Sequence, residues 1–265
     1  MYCYDFVFNN EKLSDHGFMI CTFGNESSWD GANIEFTTNQ PSNSDSYNYY
    51  TYAYDAPLTC KFQICKNVCE NNNQDEMYVT QDDYSDIMRW LQRTDGYYWF
   101  NFEQDGWEDV YYRVQVNVQP IQINGRTAGF DITLNMDAPY GYSQKLNKTF
   151  TLNSGDKFDF KVYSDNVGVI YPKITITANN SGSIVLKTGC EEYNRTTIIN
   201  NIVTGDVIIL DERNDCYSGI LNPNNFNFEF PILANSYNDI TTFFINNGID
   251  CDINIEYRHI RRVTV

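Results

Sequence analysis

Between Thr80 and Asn117 the spacing of apolar residues changes period, and the rest of the chain is organised around that change. Tyr84, Ile87, Trp90 and Leu91 recur at helical spacing and make one apolar face. Thr80 and Asp83 have the spacing of a capping box, with Asp where Glu or Gln is usual. Asp82, Asp83 and Asp86 put negative charge on the first turn, and Arg89 and Arg93 put positive charge near the other end, both in the sense the helix dipole favours. The turn pair Asp95-Gly96 stops the pattern. A helix is therefore predicted over about residues 82–94. Beyond it the period becomes two. Tyr98, Phe100 and Phe102 share a side, Gln104-Asp105-Gly106 turns the chain, and Tyr112, Val114, Val116 and Val118 alternate away from it. This is the one convincing helix in the sequence, and a single helix among strands is expected to pack across a sheet face.

The chain before it reads as strands. Residues 4–9 alternate and end in Asn9-Asn10, a hairpin-type turn, and Phe18 to Phe23 is predicted to be the returning strand. A third strand is expected over residues 33–37. The polar run Thr38 to Ser46 is a loop or the tip of a long hairpin. It runs into Tyr47, Tyr49, Tyr50, Tyr52 and Tyr54. That stretch is either an ordinary half-buried strand or a protruding strand that docks on a neighbouring subunit. Tyr suits the second use because it brings area and a hydroxyl with few rotors. Leu58, Cys60, Phe62 and Ile64 alternate as the buried face of a further strand, and residues 70–76 form a polar loop. Residues 121–123, the Asn124-Gly125 turn and residues 129–134 close a first domain, assigned to residues 1–137.

Pro139 and Gly141 punctuate a break. From Thr149 onward come short strands separated by Gly, Asn and Asp: FTL, KFDFKVYS, GVIYPKITITAN, SGSIVLKT, TTIINN, GDVIILDE, NFEFPIL, DITTFFINN and CDINIEYRHI. That rhythm predicts a second, β-sandwich domain of jelly-roll type over residues 138–265. The fold class is mainly β: a β-sandwich or barrel-like first domain with one α-helix, then a sandwich.

Composition narrows the function. Aromatic residues make up 16% of the 265-residue chain, most of them Tyr and Phe, which favours strands. No apolar run is long enough to span a membrane, and the first dozen residues lack the pattern of a signal peptide. The net charge is −17, and residues 1–135 carry −13 of it, with 7 Lys and Arg against 20 Asp and Glu. A nucleic-acid binder needs a basic face to hold phosphate, so specific nucleic-acid binding is not expected. Eight cysteines without an export signal are expected to be free buried thiols. Cys60, Cys65 and Cys69 cluster, but not at zinc-site spacing.

Motifs for catalysis are missing: no Gly-rich phosphate loop, GxSxG, HExxH or EF-hand loop occurs. The two histidines, His16 and His259, fall on different predicted domains. A carboxylate pair for glycoside hydrolysis stays open on residue type, but Asp82, Asp83, Glu191 and Glu192 sit at a helix start and in turns, where carboxylates are solvated. All four tryptophans (Trp29, Trp90, Trp99, Trp107) lie in the first domain, which leaves the second only tyrosines on which to stack a sugar. No catalytic residue, metal or cofactor is expected.

The order of these pieces resembles the distal tail protein (Dit) family of long-tailed siphophages and related prophages. The likeness runs through the opening YDFVFN strand and Ser14-Asp15-His16-Gly17-Phe18. It continues in the helix with Ile87-Met88-Arg89-Trp90-Leu91 and in the hairpin ending Tyr111-Tyr112-Arg113-Val114. It includes the junction from Phe130 to Ser143 and the strand Tyr171-Pro172-Lys173-Ile174-Thr175-Ile176. It closes with Asn238-Asp239-Ile240-Thr241-Thr242-Phe243 and Ile255-Glu256-Tyr257-Arg258. The resemblance implies a non-catalytic virion protein of the tail tip, made in the bacterial host cytoplasm. Its first domain would form a homohexameric ring, and its second would be a galectin-like sandwich at the periphery. The ring would join the tail tube to baseplate or tip proteins, such as a tail-associated lysin, tail fibre or receptor-binding protein, and let DNA pass. Within it, Tyr47, Tyr49, Tyr50, Tyr52 and Tyr54 are the candidate subunit interface. Two alternatives are a carbohydrate-binding β-sandwich protein used for host-surface adhesion and a polysaccharide hydrolase or peptidase of a tail tip.

Overall fold

The computed structural model describes residues 5–24, 27–67, 77–166, 168–191, 193–211, 216–217, 223–235 and 241–262. Tyr4, Cys69, the 70–76 loop, Glu192 and residues 238–240, all singled out in the sequence, lie outside the described residues. The fold is mainly β with one helix among the described residues, and it divides into two compact units, residues up to Tyr142 and Ser143–Arg262.

The first unit contains β1 (Asp5–Phe8), β2 (Glu11–Lys12), β3 (Phe18–Cys21), β4 (Ser28–Asp30), β5 (Ile34–Asn39), β6 (Asn48–Tyr54) and β7 (Thr59–Lys66). Helix α1 (Gln81–Leu91) follows, then β8 (Tyr98–Glu103), β9 (Tyr111–Ile123), β10 (Arg126–Met136) and β11 (Gly141–Tyr142). The main sheet has the order β2-β1-β8-β9-β10-β7-β3, with β4 also beside β7 and β11 beside β9. Asn124 and Gly125 take positive φ (52° and 76°), so a two-residue turn joins the long strands β9 and β10 with a twist that matches theirs.

One expected pairing is different. Asn9 and Asn10, at φ 51° and 70°, do turn the chain, but onto the two-residue β2 and not onto Phe18–Phe23. The Asp5 carboxylate accepts from the Ser14 amide (3.2 Å) and hydroxyl (2.6 Å), and Gly17 takes φ 74°. The redirected strand β3 lies at the far side of the sheet, against β7, where Phe18 is buried beside Phe130. Turn chemistry is local, but the partner of β3 is set by a long-range core contact that periodicity does not encode.

Helix α1 packs on this sheet through Ile87, Trp90 and Leu91, all buried. Trp90 stacks on Phe6 with centroids 5.8 Å apart, and Phe62, Phe100 and Phe102 continue the aromatic core. Each such side chain contributes about 1.5–3 kcal/mol on burial. The capping box forms: the Thr80 hydroxyl accepts from the Asp83 amide, and the Asp83 carboxylate accepts from the Thr80 amide at 2.8 Å. The helix ends at Leu91, three residues before the expected end. Arg93 is drawn instead to the Asp95 carboxylate (3.2 Å) and lies over the Tyr98 ring.

The second unit contains β12 (Leu146–Leu152), β13 (Lys157–Phe160), β14 (Gly168–Ile170), β15 (Lys173–Ala178), β16 (Gly182–Gly189) and β17 (Asn194–Ile202). It continues with β18 (Val207–Leu210), β19 (Cys216–Tyr217), β20 (Leu233–Asn235), β21 (Thr241–Gly248), β22 (Cys251–Tyr257) and β23 (Ile260–Arg261). One sheet has the order β12-β22-β15-β18-β19 and another β13-β21-β16-β17. Ile174, Ile176, Ile253 and Ile255 from the first sheet meet Ile184, Leu186, Ile199 and Phe243 from the second in one core, so the unit is a two-layer sandwich. Two strand expectations fail. GVIYPKITITAN breaks at Tyr171-Pro172 into β14 and β15. NFEFPIL is strand only at Leu233. Before it, Asn227 uses its side chain like a strand backbone, donating to the Thr196 carbonyl and accepting from the Ile198 amide.

Candidate assembly surface

β5 and β6 pair only with each other, as an antiparallel ribbon apart from the main sheet. The polar run before the tyrosines is thus the tip of a long hairpin. Inside the tip the Pro41 carbonyl accepts from the Ser44 amide at 3.1 Å. The root is held by Asn33 and Asp55. The Asp55 carboxylate accepts from the Asn33 amide at 2.9 Å and from its side-chain NH2 at 2.8 Å. The bond from the Asn33 side chain, aided by backbone amides, lowers the Asp55 pKa. Gly31 sits at the same root with φ 88°, and a Cβ there would lie 2.4 Å from the Pro57 carbonyl oxygen.

The register runs Ile34↔Tyr54, Phe36↔Tyr52 and Thr37↔Thr51, then shifts so that Thr38 faces Tyr49. Tyr50 is the extra residue of a β-bulge. In an unbulged strand of the same sequence, Tyr49 would point to the side opposite Tyr52 and Tyr54. With it, Tyr49 joins Ile34, Phe36, Tyr52 and Tyr54 on one face, where Phe36 and Tyr49 pack edge to face at 6.2 Å. Tyr52 touches Tyr54 at 5.9 Å, and Tyr54 touches Tyr140 at 6.5 Å. Burial grades along the ribbon: Tyr52 and Tyr54 are half-buried, while Tyr47 (65%), Tyr49 (57%), Tyr50 (62%) and Phe36 (65%) are exposed.

A two-stranded ribbon is marginal alone, and this one leaves its outer strand edges unpaired and its aromatic rings exposed, which makes it the candidate surface. The ribbon carries Glu35 and Asp45 but no Lys or Arg, so it offers apolar area and backbone pairing with no attraction for phosphate. Tyr49, Tyr50, Tyr52 and Tyr54 lie on β6, and Tyr47 immediately precedes it. Phe36 and Ile34, on the facing strand, were missed in the sequence, and their signal was the alternation Ile34, Phe36, Thr38.

The remaining candidates fall elsewhere. His16 stacks on Trp90 at 4.0 Å and meets Glu11 at 3.2 Å. His259 is buried in the second unit, where burial and then Arg261 lower its pKa. Cys60 faces the first core, and Cys65, an odd number of residues on, faces the other side of β7. Among the described residues no three His, Cys, Asp or Glu side chains gather as a metal-binding group.

Residues 1–138 match the family model described as phage tail protein N-terminal domain, and residues 140–257 match the phage tail C-terminal domain. No curated protein sequence matches. Among solved structures, the chain is similar to the crystal structure of SPP1 Dit (gp 19.1) protein, described as a paradigm of the hub adsorption apparatus in phages infecting Gram-positive bacteria. The TM-score is 0.61 at 9% identity, over 96% of this chain and 99% of that one. At that identity the likeness is one of fold.

Proposed function

The chain belongs to the phage tail proteins whose N- and C-terminal domain models it matches in turn, and on that premise we propose that it is a ring-forming hub of the tail tip. Residues 1–137 build the ring, and residues 138–265 stand at its periphery and dock baseplate, fibre or receptor-binding proteins. The observation that carries the ring is the β5–β6 ribbon, with its exposed Phe36, Tyr47, Tyr49 and Tyr50. It reaches to the next copy, so each subunit gives one surface and receives another, as closed cyclic symmetry requires. The acidic first half suits a lumen that passes DNA without retaining it, since Lys or Arg there would bind phosphate.

Light scattering or sedimentation over a concentration range tests this. A hexamer, or a trimer–hexamer equilibrium, is expected. Tyr49→Ala and Tyr52→Ala are expected to weaken assembly, and unchanged assembly in both would refute the interface.

A second reading, a carbohydrate-binding sandwich for host adhesion, is favoured by Phe228. It is 62% exposed at φ 57°, a rare conformation for a bulky residue, and it lies next to Glu229, which pairs with Arg195. Titration with host-wall saccharides separates the readings: millimolar or tighter binding lost in Phe228→Ala supports adhesion.

A further inference from the structure

β3 and β7 run antiparallel with Met19 opposite Cys65 and Cys21 opposite Gln63. Cys21 and Cys65 are therefore diagonal neighbours on one face of the sheet, close enough for side chains to meet. The two thiols are near enough to perturb each other's ionisation. Both open on a cavity of about 610 Å³, which Phe23, Lys66 and Arg126 also line. The core lies on the other side of β7, with Cys60, Phe62 and Ile64, so this pair is not a packing element of it. Neither thiol is fully buried. The contact also makes them unequal. The neighbouring Cys21 thiol holds Cys65 below the ordinary thiol value, while Cys65 and then burial push Cys21 up.

We propose that Cys21 and Cys65 form a thiol–disulfide exchange site whose substrate is a low-molecular-weight disulfide. The Cys65 thiolate attacks one sulfur of that disulfide, its S–S bond breaks, and one small thiolate leaves. Cys21 then loses its proton to solvent, and its sulfur attacks Cys65 Sγ in the mixed disulfide. The second small thiol leaves. The two protein thiols are oxidised by two electrons, and the small disulfide is reduced to two thiols. The new bond ties the edge strand β3 to β7 and closes a loop over residues 21–65, which contains the whole β5–β6 ribbon. Resting on the tail-hub reading, the bond is open in the reducing host cytoplasm and closed in the released particle, where it braces the ribbon's root.

Reduced protein is treated with oxidised glutathione, quenched with acid and mapped by non-reducing peptide mass spectrometry. The wild type is expected to give a Cys21–Cys65 cross-linked peptide that dithiothreitol removes, with Tm raised by about 5 °C or more. Cys21→Ser is expected to accumulate glutathione on Cys65, because the resolving thiol is gone. Cys65→Ser is expected to leave Cys21 largely unmodified over the same time. No cross-link, a cross-link to another cysteine, or equal adduct rates in the two variants would overturn the proposal. Sedimentation of the same samples keeps the ring separate: a cross-linked chain that stays monomeric supports the exchange site and counts against the ring.

Discussion

Two carboxylates of the first unit are shifted in opposite directions by their neighbours. Asp95 is exposed, and the bonds from Arg93 and then Tyr98 draw it down to about 2. Its folded value lies below its ordinary 3.8, so its contribution to stability is present above that value and is lost as pH falls toward 2. Asp95→Asn should remove that part of the acid dependence. A carboxyl NMR titration that places Asp95 near 3.8 would contradict the assignment. Asp137 is the reverse. Burial raises it above 3.8, even with the Arg113 guanidinium 3.2 Å away and the Tyr142 hydroxyl bonded to it. The native state then holds this proton more tightly than the unfolded chain. The stability of the wild type relative to Asp137→Asn should therefore fall as pH rises from about 4. Gly31 is a third sensitive position, since its positive φ and the 2.4 Å approach to Pro57 leave no room for Cβ. Gly31→Ala should cost on the order of 1–3 kcal/mol in denaturant unfolding.

At the scale of elements, α1 and the β5–β6 ribbon depend on different things. The helix is anchored by its core face, so Trp90→Ala should cost about 3–5 kcal/mol. Its cap contributes less, and Thr80→Ala should cost about 1 kcal/mol by the same unfolding measurement. The ribbon can be probed at its bulge. Deleting Tyr50 removes the bulge but leaves Tyr49 two positions from Tyr52 in the shortened strand, so Tyr49 stays on the face of Phe36, Tyr52 and Tyr54. The deletion should leave the unfolding transition of the first unit nearly unchanged, because its core lies in the main sheet, and should also leave assembly in sedimentation intact, because the aromatic face is kept. Lost assembly would show that Tyr50 or the bulge itself, and not the shared face of Phe36, Tyr49, Tyr52 and Tyr54, is what a second copy reads.

For the whole molecule, charge sets the conditions for association. Each copy carries −17, and the half that holds the ribbon carries most of it. Bringing copies of such a chain together works against mutual repulsion, which salt screens over about 10 Å at 0.1 M and about 3 Å at 1 M. Assembly through apolar aromatic contacts should therefore strengthen as salt rises. Weakening with salt would point to ion pairs at the interface. The same charge predicts that DNA is not retained at low salt, which a filter-binding measurement checks.

The sequence alone determined whatever depends on neighbours a few residues apart. The capping box at Thr80 and Asp83, the apolar face of α1, the alternation through β7 to β10 and the two Asn-containing turns all follow from side-chain periods and local backbone preferences. The clustering of tyrosines between Tyr47 and Tyr54 was legible for the same reason. Tertiary structure decided the rest. β3 joins β7 because a buried ring outweighs a nearby turn, and NFEFPIL gives up strand geometry because Asn227 satisfies the neighbouring backbone. Tyr49 shares a face with Tyr52 because one extra residue shifts the register against the opposite strand. Cys21 meets Cys65 across 43 intervening positions. Each of these is a contact between residues far apart in the chain, and its energy is fixed only when the whole sheet has closed.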